Sequence, residues 1–260
     1  MDLKRILALY DQDRRRISLF DMQREETPHL VRHLSPSGDG LIIYSNLSST
    51  NVEKVIQEQI AHFDSTGCDF SWVVFDHDTP ANLKDRLLAH GFLTEEPDAI
   101  LILDIEDLSQ DLVKPINFDV QRISDPENID DVLSIRQQIW QSDYSSMARS
   151  LAKRLVDDPE SLGLYVAYVD GKPVSTAQIS FFKKCHFAGL VHSATLPGFR
   201  GRGLYTALIA ARVQEAKRRG IRFVDVDASP MSQPILEKLG FQWLTESYSC
   251  EWQVEQVSTG

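Results

Sequence analysis

The sequence predicts an α/β (α+β) protein: a mixed, mostly antiparallel sheet flanked by helices, laid out in two successive portions of similar texture. Three features carry this reading. Short apolar runs such as Leu41-Ile42-Ile43-Tyr44, Phe70–Phe75 and Ile221–Ala228 alternate with amphipathic helical stretches. A hairpin signal joins Leu164–Val169 to Val174–Phe182 through Asp170-Gly171, a pair suited to positive φ. Between the portions lies a polar stretch containing Pro115, which predicts domains at 1–110 and 118–260 joined by a linker at 111–117.

In the first portion, Leu3–Arg16 reads as a helix and Leu41–Tyr44 as a buried strand. Ser49 or Thr50 caps a helix reaching about His62, with Val52, Val55, Ile56, Ile60 and Phe63 along its apolar face. Phe70–Phe75 is a strand, a short helix after Pro80 closes at Gly91, and Phe92 and Ala99–Ile105 supply further strands. In the second portion, Phe118–Ile123 is a strand. Ser124 or Asp125 opens a helix through Trp140, and Ser145–Val156 is another. The hairpin and His186–Leu196 form a three-strand meander. A helix from about Gly203 to Arg219 stops at Gly220, Ile221–Ala228 is a strand, Pro230–Leu239 is a helix, and Phe241 starts the final strands.

The two portions echo each other. Thr79–Phe92 and Ser229–Phe241 share a loop proline, helical leucine spacing and a Gly-Phe exit. On pattern alone, a true repeat and a chance likeness of two strand–helix joints both stay open.

Composition limits the function classes. A chain of 260 residues, 42% hydrophobic, can bury one large core or two small ones. A net charge of -11 argues against nucleic acid as a partner, and the basic runs Arg14–Arg16 and Lys217–Arg219 sit near helix ends. Cys68, Cys185 and Cys250 lie far apart without CxxC spacing, which speaks for a reducing compartment and against a metal site. The charged opening MDLKRILALYDQDRRR does not read as a signal peptide, and no run approaches the roughly 18 apolar residues of a membrane span. The expectation is a cytoplasmic protein without a membrane partner.

The chemistry concentrates at Ser193–Gly220, where a strand ends, a loop rich in glycine and arginine follows, and a helix begins at once. Gly201 and Gly203 allow backbone N–H groups to approach an anion, and the helix N-terminus adds unsatisfied donors and a positive dipole end. Arg200 and Arg202 bring charge and bidentate geometry. Such a loop suits a pyrophosphate. No lysine follows the glycines, so it is not a Walker A loop. The glycine order G-x-x-G-x-G and the short remainder after Asp225 disfavour a dinucleotide-binding fold.

Arg200-Gly201-Arg202-Gly203-Leu204-Tyr205, together with the helix exit Glu237-Lys238-Leu239-Gly240-Phe241, resembles the two main motifs of the GNAT superfamily of N-acyltransferases. The resemblance covers about Phe118 to Trp252, and Tyr205 departs from the small residue usual at its place. It implies a GNAT fold in which acetyl-CoA, or another acyl-CoA, lies where strands His186–Leu196 and Ile221–Ala228 splay apart. Ser193, Ala194 and Thr195 would line the pantetheine arm, Gly201 through Thr206 (Gly201, Arg202, Gly203, Leu204, Tyr205, Thr206) with Arg200 would bind the pyrophosphate, and Ser229 and Ser232 would face the arm from the other side. The first portion resembles a degenerate copy of the same fold, its corresponding loop SNLSSTN lacking glycine and arginine.

Transfer from a thioester to an amine needs a base, donors for an oxyanion, and an acid for the thiolate. The resemblance places a tyrosine acid where this chain has Leu236, so that role is vacant, is filled from elsewhere, as by Tyr248, or is not needed because a thiol leaves readily. His192, Asp225 and Asp227 are the candidate bases, with His192 foremost. In an unbroken strand His192 would face away from Ser193 and Thr195. The expected function is N-acetyl transfer to a small-molecule or protein amine, by a monomer or homodimer. A CoA-binding sensor or adaptor without turnover is the alternative, and a degenerate structural partner the third. The acidic surface points to a cationic acceptor.

Overall fold

The computed structural model describes residues 1–141 and 144–254. In chain order the elements are α1 (Leu3–Leu9), β1 (Gln23–Glu26), β2 (Leu30–Leu34), β3 (Gly40–Ser45), α2 (Val52–Thr66), β4 (Phe70–Phe75), α3 (Leu83–Ala89), β5 (Leu93–Thr94), β6 (Asp98–Asp104) and α4 (Gln110–Val113). They continue as β7 (Asp119–Ile123), α5 (Ile129–Trp140), α6 (Ser145–Asp157), β8 (Leu162–Val169), β9 (Lys172–Phe181), β10 (Phe187–Thr195), α7 (Leu204–Arg218), β11 (Phe223–Ala228), α8 (Gln233–Lys238) and β12 (Gln242–Trp252). Among the described residues, no helix is long and apolar enough to cross a membrane.

Two compact units emerge, and neither is continuous in sequence. One holds 2–100 together with 244–260; the other holds 101–243 with Met1. Contacts therefore divide the chain inside β6 and near the start of β12, whereas composition places the break at 111–117.

In the unit built on 2–100, β1 to β4 are neighbours in order, and residues 247–252 of β12 pair antiparallel with β4, Ser247 opposite Phe75 and Trp252 opposite Phe70. Strands β1 and β2 extend the sheet beyond what the sequence predicted. Helices α2 and α3 bury Val55, Ile56, Phe63, Leu83 and Leu87 against Phe70, Trp72 and Phe92. Phe63 stacks on Phe70 at 4.2 Å, an arrangement that needs Gly40, because a Cβ there would run into the Phe63 ring. The buried Arg15 donates to both Asp78 carboxylate oxygens at 2.8 Å and to the Ile43 carbonyl at 2.9 Å. Asp78 also accepts from the Phe75 N–H at 2.9 Å.

In the other unit, β11, β10, β9, β8 and β7 follow one another, with residues 101–104 of β6 beside β11. The β8–β9 turn has φ of 50° at Asp170 and 72° at Gly171, as the Asp-Gly pair predicts. Alternation along β8 assigns the faces. Leu162, Leu164 and Val166 pack with Ile135 of α5 and Leu151 and Leu155 of α6. On the opposite face, the Tyr165 hydroxyl donates to Glu215 of α7, and a Cβ on Gly163 would meet that same carboxylate. Helices α5 and α6 thus cover one face and α7 the other. Helix α5 starts at Ile129 rather than Ser124, because Pro126 opens a separate turn capped by Asp125.

Both units contain the same succession: an antiparallel pair (β2–β3, β9–β10), a helix of 15 residues (α2, α7), and a parallel return (β3–β4, β10–β11). The echo in the sequence is a structural repeat.

Candidate functional site

Strands β10 and β11 pair in parallel from Phe187 opposite Phe223 to Leu190 opposite Val226, and the ladder stops there. Yet β10 runs on to Thr195 and β11 to Ala228. Two strands joined at one end only make a V. Its origin lies on β10, where Val191 faces Gln178 but Ala194 faces Thr176. Three steps on one strand against two on its neighbour is a β-bulge, and His192 carries it with φ of 51°. The bulge puts Val191 and Ala194 on one face, so the alternation expected for His192 and Ser193 does not hold across this segment. Thr195 remains in register, its hydroxyl 2.6 Å from that of Ser175.

The glycine-rich loop closes the mouth of the V. Gly201 and Gly203 have φ of 72° and 86°, values that side chains rarely adopt. Gly203 is the N-cap of α7, with no side chain to cap it and no acidic residue in the first turn. Among the described backbone bonds the first into the helix is Ala207 N–H to Gly203 C=O at 3.0 Å, which leaves the N–H groups of Leu204, Tyr205 and Thr206 without intrahelical acceptors. Arg200 donates through Nε to the Thr195 carbonyl at 3.1 Å, fixing the loop to the end of β10. Arg202 donates to the Gly198 carbonyl at 3.0 Å and lies over the Phe199 ring at 5.0 Å. Both guanidinium groups remain exposed, so the loop presents two cations, free N–H groups and a helix dipole together.

Across the V, the Ser229 and Ser232 hydroxyls lie 3.3 Å apart. Ser232 also donates to the Ser229 carbonyl at 3.2 Å. Leu236, on α8, is fully buried. Asp225 is buried and Asp227 exposed on β11. Tyr248 falls in the other unit, opposite Val74 on β4 with its hydroxyl on Glu246 at 3.1 Å, and its pKa is pushed up to about 12 by burial and that carboxylate.

Sequence reasoning missed one neighbour of His192. Arg136 sits on the buried stripe of α5, with no exposure to solvent. It reaches Gln178 on β9, the residue opposite Val191 at the bulge. His192 keeps part of its surface in solvent. Desolvation and the Arg136 charge together hold its imidazole down, at about 4. The available signal was an arginine three residues after Leu133 and four after Val132, among the apolar positions of α5.

A V between parallel strands, with an uncapped, arginine-flanked helix N-terminus at its open end, has the chemistry to suit an extended ligand ending in a polyanion. Residues 129–241 match the model of the Acetyltransferase (GNAT) family. An uncharacterised N-acetyltransferase of Methanocaldococcus jannaschii is 35% identical over 88 residues, which are 31% of this chain and 39% of that relative's length. A GCN5-related N-acetyltransferase from Kribbella flavida shares the fold with TM-score 0.70 at 17% identity, covering 96% of this chain and 95% of its own. A tandem GNAT protein from the clavulanic acid biosynthesis pathway matches with TM-score 0.63 at 13% identity, covering 99% of this chain and 89% of its own. The fold of the chain is therefore a GNAT fold, and its two repeated units have a parallel in a tandem protein.

Proposed function

We propose that this protein is an acyl-CoA-dependent N-acyltransferase that moves an acetyl group from acetyl-CoA to a primary amine by direct attack in a ternary complex. The observation that carries the proposal is the uncapped α7 N-terminus between Arg200 and Arg202, set at the open end of the β10–β11 V. The N–H groups of residues 201–206 and the Arg200 guanidinium would hold the pyrophosphate. Ser193, Ala194 and Thr195 would line the pantetheine arm, with Ser229 and Ser232 opposite. The cosubstrate supplies an activated acyl thioester. The amine nitrogen forms the new C–N bond as the C–S bond breaks, and the amine's proton leaves as the thiolate gains one. His192, neutral at pH 7, would accept the amine's proton and pass it on to water, an imidazole at about 4 being too weak a base to keep it. Domain 118–260 would be catalytic, and domain 1–110, whose loop at 46–51 is filled by its own Ser48, Thr50 and Asn51 bonds, would hold no cofactor.

A second reading, a CoA-binding sensor without turnover, is favoured by buried Leu236 in the place of the family's tyrosine and by the depressed His192. Calorimetry with acetyl-CoA on the wild type and on the double variant Arg200→Ala/Gly203→Trp tests the cofactor site. Micromolar binding, about -8 kcal/mol, that the variant loses supports it; no binding by the folded wild type refutes both readings. Thiol release with an amine panel then separates enzyme from sensor.

A further inference from the structure

Arg136 is fully buried. Among the described residues its guanidinium has no ion-pair partner. Nη1 donates to the Met147 sulfur at 3.0 Å, Nη2 to the Gln178 Oε1 at a long 3.4 Å, and Nε to nothing. A thioether is a weak acceptor, so a group with five donors is left with one poor bond and one stretched one. Leaving such donors unmatched is costly, and its structural purpose would be served better by an apolar side chain.

Two other buried arginines show what structural service looks like. Arg15 has both oxygens of Asp78 and a carbonyl. Arg212, on the far face of the sheet, spans the Leu208 and Gln178 carbonyls at 3.0 Å each. Among the described residues Arg136 has no comparable anchor: it meets only the side chain of Gln178, opposite Val191 at the bulge, whereas Arg212 holds that residue's carbonyl and leaves only its own Nη2 unmatched. Its partner Gln178 faces Val191, the residue before His192, and the Arg136 charge is felt at the His192 imidazole. Met147, which covers Nη1, is only partly buried, and its unbranched side chain has three rotatable bonds. Moving it aside uncovers a planar fork matched to a carboxylate.

We infer that Arg136 is the carboxylate-binding residue of the acceptor site, and that the amine acylated by this protein belongs to a free amino acid. The inference rests on the acyltransferase reading. It revises the expectation of a purely cationic acceptor: the acidic surface governs encounter, and the buried guanidinium governs what is held beside His192.

The test compares acetyl transfer to each standard amino acid and to its carboxamide, in the wild type, Arg136→Met and Arg136→Lys, with acetyl-CoA binding and thermal unfolding measured alongside. A charge-assisted bidentate contact implies that the wild type prefers at least one amino acid over its carboxamide by about 10- to 100-fold, chiefly in KM. Arg136→Met should erase that preference while keeping acetyl-CoA affinity and the folded state. Arg136→Lys, which keeps the charge but loses the fork, should recover only part of it, and it serves as the test variant if Arg136→Met does not fold. Equal use of carboxamides, an unchanged preference in the variants, or turnover confined to amines without a carboxylate overturns the inference and leaves the acyltransferase reading standing. Failure of the folded wild type to bind acetyl-CoA overturns both.

Discussion

Replacing Arg136 by methionine should make this protein more stable. Burial pushes the guanidinium from an ordinary 12.5 down to about 10. At 1.36 kcal/mol per unit, the charged form is disfavoured by about 3 kcal/mol. Methionine fills much of the same volume without charge and gives up the weak bonds to Met147 and Gln178, worth about 1 kcal/mol together. The net gain is about 2 kcal/mol, which for a chain of this size raises Tm by roughly 4–8 °C. Differential scanning calorimetry at pH 7 reads this directly. The gain has a pH signature. Because the folded-state pKa lies below the unfolded one, folded Arg136 releases its proton first as pH rises through about 10. The wild type then recovers stability, and the variant's advantage shrinks. A lower Tm for the variant at pH 7 would show that Arg136 serves the fold and refute the reasoning about its cost.

The same variant removes the cation that holds His192 down, so its imidazole should titrate above its present value of about 4, still below an ordinary histidine because desolvation persists; NMR of the ring protons measures this. Arg15→Met breaks a buried pair and strands Asp78, which should cost about 3–5 kcal/mol in denaturant unfolding. Gly163→Ala sets a methyl 2.7 Å from Ile179 Cγ2 and 2.8 Å from a Glu215 carboxylate oxygen, and the forced repacking should cost about 1–3 kcal/mol by the same measurement.

Legibility in the sequence followed how local each determinant is. The Asp170-Gly171 turn and the loop glycines were readable because one residue's φ decides them, and both occur where expected. Helices α2, α5, α6 and α7 were readable from apolar spacing. Strand β1, Gln-Arg-Glu-Glu, was not, because a strand without a buried face carries no alternation. The bulge at His192 could not be read, since positive φ is uncommon in any non-glycine residue, even in histidine, which adopts it more often than most. Arg136 was visible as a letter, yet a search for apolar residues on α5 passes over the one cation among them. Membership of the two units was hidden for a different reason: strand pairing between distant segments has no local signature, so a polar linker at 111–117 could suggest a boundary that the contacts draw elsewhere.

That exchange of segments bears on how the chain is made. Strand β4 has two neighbours, β3 close by in sequence and β12, whose Glu251 bonds Ser71 across 180 residues. At about 5–20 residues per second, a ribosome needs roughly 10–40 s to deliver the second after the first. Throughout that interval the first unit has its helices and most of its core, but one side of β4 is an unpaired edge of the kind that invites intermolecular pairing. The unit begun first is finished last, and the nascent protein depends on that edge being shielded until residues 247–252 emerge.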